Sequence, residues 1–179
     1  MSRSNSARAN SAYRSLEQRF TRISSLAGAL SMLDWDQATM MPEGGADARA
    51  DQLATLKLIR HETLCSPEIA SLLAEAEDGA AQLDGWQQSN LARMRRSWRH
   101  ATALPADLIE ALSRAACECE ITWRSARKNN DFKALAPGLD ALLQLSREAA
   151  SAKAAIMGCT PYDALLDQFD SGISAVAID

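Results

Sequence analysis

From Tyr13 onward apolar residues return in steps of three and four: Tyr13, Leu16, Phe20, Ile23, Ala27 and Leu30, with Leu26 and Leu33 widening the stripe. That period places one apolar face along an α-helix, and it predicts a long amphipathic helix beginning after Ser6. The helix is expected to stop ahead of Pro42, because proline disfavours the helical conformation at the residue before it and Gly44-Gly45 favours a turn. Residues 40–45 are therefore read as a loop. The chain holds 34 alanines and 22 leucines against a single valine, Val176. Ala and Leu lose little on entering a helix, whereas sheets draw on β-branched and aromatic residues, so the expected class is all-α and a sheet fold is excluded.

The same logic carries through the rest of the chain. A second helix is predicted from Ala46 to about Thr63 with Leu53, Leu56 and Ile59 inward. A third opens at Ser66-Pro67 with Ile69, Leu72, Leu73 and Ala76 as its face. Asp84 followed by Gln87 matches a capping box, opening a fourth helix to about Ala101 through Leu91, Met94 and Trp98. Pro105 opens a fifth, fading near Lys128-Asn129-Asn130, and Asp131 is placed to cap a sixth that carries Pro137 early and ends at Gly158. A short helix is expected over Pro161 to Phe169. Ser174 would cap a last one of barely one turn, too short to be stable alone, so the chain looks cut there or ends in a frayed tail. Domain organisation is read as a flexible polar lead over residues 1–11 and a single helical domain over 12–179, truncated at its C-terminal side.

Nineteen Lys and Arg against 23 Asp and Glu give a net charge of −4, which argues against a nucleic-acid arm. Cys65, Cys117, Cys119 and Cys159 form no C-x-x-C pair and read as reduced thiols of a cytoplasmic protein. No signal peptide opens the chain, and no apolar run reaches the 18 residues of a membrane span.

Four segments are chemically suggestive. His61-Glu62-Thr63-Leu64-Cys65 has the opening of a zinc-protease helix, in which two imidazoles four residues apart grip zinc and the glutamate acts as base. Here cysteine stands where the second histidine belongs, and a third ligand is not evident, since His100 lies on another helix. The alternative is a surface or capping histidine. Cys117-Glu118-Cys119 points its two thiols about 200° apart on a helix, so they cannot share a metal and read as buried small hydrophobes. Arg93 to His100 is the densest positive stretch: a solvated face with ion pairs, a carboxylate or phosphate site, or a nucleic-acid contact. Asp34-Trp35-Asp36-Gln37 places acids at a helix C-terminus, against the helix dipole. A cleft, a loop anchor or a structural hydrogen-bond network would each account for that placement.

The string Ser31-Met32-Leu33-Asp34-Trp35-Asp36-Gln37-Ala38-Thr39-Met40-Met41-Pro42, with Gly44, Arg49-Ala50 and Gln52 behind it, resembles the N-terminal signature of the Taq-type thermostable metallocarboxypeptidases. The likeness continues collinearly through Asn90-Leu91, Arg95-Arg96-Ser97-Trp98-Arg99, Ala101 to Pro105, Trp123, Asn130-Asp131-Phe132 and Pro161 to Phe169.

That resemblance implies an all-helical enzyme, usually a homodimer, with a deep cleft between helical halves. Its members remove C-terminal residues from peptides one at a time, with broad specificity and proline disfavoured. It implies zinc or cobalt in the full-length enzyme, held by an H-E-x-x-H pair and a later glutamate that lie further along a longer chain. His61-Glu62 is not that motif. No metal is expected on these 179 residues, which are expected to be inactive alone and to have as partners the C-terminal catalytic part of the enzyme and its peptide substrate. Trp35, Asp36, Gln37, Arg95 and Arg99 become candidates for the substrate cleft or a domain contact. The competing reading is a non-catalytic helical interaction module anchored by Trp86, Trp98 and Trp123.

Overall fold

The computed structural model describes residues 2–178. Every regular element among them is helical: α1 (Ser2–Thr39), α2 (Ala46–Leu64), α3 (Pro67–Asp78), α4 (Gly85–Thr102), α5 (Ala106–Asn129), α6 (Phe132–Met157) and α7 (Pro161–Leu166), with short 3-10 turns at Glu43–Gly45, Ala80–Gln82 and Ala175–Ala177. The chain divides into two compact units, residues 1–101 and 102–179.

In the first unit α1 packs against both α2 and α3. Its 38 residues begin at Ser2, so residues 2–11 are helical, and Ala9 is buried. The core joins Ala12, Tyr13, Leu16 and Ile23 of α1 to Ile69, Leu73 and Ala76 of α3, with Leu83, Leu91 and Met94 closing it. Apart from Ala12 and Leu83, these are positions the three-and-four spacing selected. Tyr13 buries its ring and accepts a hydrogen bond from Asn90 Nδ2 at 3.2 Å, which satisfies a hydroxyl that burial would otherwise strand. Ion pairs Arg8–Glu75 and Arg19–Glu68 lie along the α1–α3 seam and run those helices antiparallel.

Local signals act largely as read. Gln87 N donates to Asp84 Oδ1 at 2.9 Å and Asp84 N to Gln87 Oε1 at 3.0 Å, the two halves of a capping box. Ser66 stands at the N-cap of α3 with Pro67 behind it, but its side chain makes no capping bond, and Ile69 N bonds the Ser66 carbonyl instead. Two expected inward residues point outward: Ile59 is exposed on α2, and Trp86 is 82% exposed at the start of α4, so it anchors nothing in this unit. Trp98 does pack on the core.

In the second unit α5 and α6 form an antiparallel hairpin, with α7 laid on α6. Asn130 turns the chain at φ 55°, and Asp131 caps α6 by accepting from Ala134 N at 3.1 Å. Pro137 lies within α6, and Gly158 ends it at φ 72°, a left-handed conformation that glycine adopts without strain. Thr160 Oγ1 caps α7, which stops at Leu166, short of Phe169. Beyond Ser174 the backbone makes a 3-10 turn rather than an α-helical one. Asp163 Oδ1 fixes it by accepting from Ala175 N at 2.7 Å.

Candidate functional site

The end of α1 is where sequence-selected residues and structure meet most closely. Met40 N and Met41 N both donate to the Asp36 carbonyl, so the helix terminates on that residue and turns into Pro42. Arg49, three residues into α2, reaches back across the turn. Its guanidinium donates to Asp36 Oδ2 at 2.6 Å, to the Leu33 carbonyl at 2.8 Å and to Gln52 Oε1 at 3.1 Å. One planar cation thus neutralises an acid that opposes the helix dipole and adds a second donor to a carbonyl in the last turns of α1. Asp36 is braced within the protein, while Trp35, one residue earlier and about 100° round the helix, is 56% exposed. Gln37 is half-buried. Between α1 and α2 an open groove of about 550 Å³ is lined by Leu33, Asp51, Gln52, Thr55 and Leu56.

Arg95 occupies a different region. Its Nε donates to Glu77 Oε1 at 2.7 Å and its terminal nitrogen to Glu77 Oε2, a two-pronged pair, while the guanidinium stacks over Trp98 at 5.1 Å. The Glu77 bond holds the Arg95 guanidinium protonated above its ordinary value. Arg99, one turn further on, is exposed. Asn90, little more than a turn before Arg95, bonds Tyr13, and the stretch of α1 from Tyr13 to Asp36 spans about 34 Å at 1.5 Å per residue. The Asp36 and Arg95 clusters are therefore not brought together.

His61 and Cys65 do meet: imidazole Nδ1 lies 3.6 Å from the thiol Sγ on the last turn of α2. Burial lowers the His61 pKa and raises that of Cys65, so neither is charged at neutral pH. A catalytic zinc needs three protein ligands and an open fourth position, and among the described residues no group of three His, Cys, Asp or Glu is placed to hold a cation. The residues present do not fit a catalytic metal. Cys119 packs beside Gly138 between α5 and α6, as a buried small side chain should.

The residue whose role sequence reasoning missed is Arg49. It stood within the family-like string, but nothing in its spacing linked it to Asp36, because the contact crosses a turn whose path the sequence did not specify.

A thermostable carboxypeptidase 1 from Pyrococcus furiosus is 30% identical over 166 residues, covering 92% of this chain and 32% of that protein. One of the same name from Thermus thermophilus is 32% identical over 167 residues, covering 88% of this chain and 32% of that protein. The solved structure of Trypanosoma cruzi metallocarboxypeptidase 1 superposes with a TM-score of 0.81 at 35% identity, over 94% of this chain and 34% of that one. The chain thus spans about a third of the length of these relatives. The sequence model of the carboxypeptidase Taq (M32) metallopeptidases matches residues 15–179, and the chain belongs to that family.

Proposed function

We propose that these 179 residues form the N-terminal helical region of a metal-dependent carboxypeptidase that removes C-terminal amino acids from peptides with broad specificity. The match of residues 15–179 to the family carries this reading. In the whole enzyme a zinc or cobalt ion is held by ligands outside this chain. The chain's partners are the C-terminal catalytic part, the peptide substrate and a second subunit in a homodimer, in a cytoplasmic enzyme. Trp35 supplies the exposed contact at the end of α1, toward the cleft or the catalytic part. Asp36, held by Arg49, and half-buried Gln37 set its position. Arg95 and Arg99 serve the second contact region along α4.

On this reading the isolated chain hydrolyses no peptide, because its described residues bring together no complete catalytic metal-ligand set. The test is to incubate it with blocked and unblocked peptides in the presence of zinc or cobalt and to quantify released amino acids. No release above background is expected. Metal-dependent release that disappears in His61→Ala would overturn the assignment and make the His61 segment catalytic.

A further inference from the structure

We propose that His61 and Cys65 form a two-ligand site for a tetrahedral, thiophilic divalent cation of the zinc class, distinct from the catalytic metal of the family. The two residues are one turn apart on the same face of α2, and Cys65 N donates to the His61 carbonyl at 2.8 Å, which fixes their backbones together. The observed separation of Nδ1 and Sγ is 3.6 Å. A zinc ion bonded at roughly 2.0–2.1 Å to nitrogen and 2.3 Å to sulfur with a tetrahedral angle spans about 3.5 Å between them. The pair therefore already has the nitrogen-to-sulfur span of the cation, and a small turn of the two side chains aims both donors at it.

The chemistry of the two donors agrees with the geometry. Nδ1 and the thiol Sγ are in direct contact, and the thiol proton is the one that binding must displace. On binding, that proton leaves to solvent, sulfur and nitrogen each form a bond to the cation, and no oxidation state changes. Both side chains are only partly buried, which leaves the remaining two coordination positions to water. Glu62 projects about 100° around the helix from His61 and does not join the set. With two protein ligands the site binds a cation without offering catalytic zinc chemistry, and it does so independently of the proposed carboxypeptidase role.

Cobalt(II) titration reads the site directly, in a chain carrying Cys117→Ser, Cys119→Ala and Cys159→Ser, with helicity checked by circular dichroism. A thiolate-to-cobalt charge-transfer band is expected to saturate at about one cation per chain and to be displaced by zinc. Cys65→Ser should abolish the band, and His61→Ala should weaken binding by about tenfold or more. Absence of the band, or an affinity unchanged by His61→Ala, overturns the proposal. The unsubstituted chain offers a second measurement that does not depend on the cysteine replacements folding. Zinc should slow alkylation of Cys65 several-fold while leaving exposed Cys159 unaffected, and equal rates at Cys65 with and without zinc overturn it.

Discussion

Arg49 joins the Asp36 carboxylate at 2.6 Å across the α1–α2 turn, and the same guanidinium donates to the Leu33 carbonyl. Arg49 is mostly buried and Asp36 only partly so. The pair is therefore less screened than a surface bridge, without carrying the full cost of a buried one. Arg49→Ala should destabilise the chain by about 1–2 kcal/mol in urea unfolding, since it leaves the Asp36 acid without its cation at a helix end. Arg49→Lys should rescue little, because an ammonium cannot serve three acceptors in one plane. A double-mutant cycle with Asp36→Asn should show coupling, and additive effects would mean the contact contributes nothing.

Leu16 and Leu73 are fully buried and belong to the core that joins α1 to α3. Either residue changed to Ala should cost about 2–5 kcal/mol, from lost burial and from the cavity left behind. Trp35→Ala should change stability by less than about 0.5 kcal/mol, because its ring is largely in solvent. Equal losses at Leu16 and Trp35 in the same unfolding assay would contradict this division between core and contact surface.

Lys153 is 6% exposed on α6, and its ammonium donates to Gln168 Oε1 at 2.6 Å. Burial holds its pKa below the ordinary 10.5. Unfolding restores the ordinary value, so between the folded pKa and 10.5 the unfolded chain binds more protons and stability gains with rising pH. Relative to Lys153→Met, which has no such titration, the wild-type chain should gain in urea midpoint as pH is raised from about 7.5 to 10. A difference between the two that does not change with pH would show that burial does not shift this amine.

The Asp163 carboxyl sits below its ordinary 3.8, chiefly because it accepts from the Ala175 amide and secondarily through Thr160. A depressed carboxyl contributes stability that is present above 3.8 and lost as pH falls through the folded value. Acid should therefore release the 3-10 turn at Ala175–Ala177 before the α5–α6 hairpin opens. Hydrogen exchange at the Ala175 amide checks it: protection should fall in acid, and Asp163→Ala should remove it at neutral pH while leaving amides in the middle of α6 protected. Unchanged protection in that variant would place the turn's stability elsewhere.

Much of the helical layout could be read from local rules, because each rests on residues within a few positions of one another. The Asp84–Gln87 box, the Asp131 cap and the stop at Gly158 all act over one turn of helix. The spacing Tyr13, Leu16, Ile23 picked out the core face of α1 for the same reason. What local rules do not specify, longer-range packing decided. The polar start of α1 is helical, with Ala9 buried and Arg8 paired to Glu75 from α3. Ile59 and Trp86 face outward because no helix of their own unit covers them.

The candidate site divides along the same line. The residues around Asp34-Trp35-Asp36-Gln37 and the family they belong to were visible in the chain itself, since collinear identity needs no geometry. That Arg49 clasps Asp36, that Arg95 belongs to Glu77 and Trp98, and that His61 and Cys65 face each other at the bite of a cation were decided by tertiary structure or by side-chain placement. The sequence alone determined which helices form, because hydrogen bonding and side-chain periodicity within a helix are local. Only the folded structure decided which charges meet, because ion pairs between helices depend on crossing, register and turn path, and those are set by how the apolar faces pack.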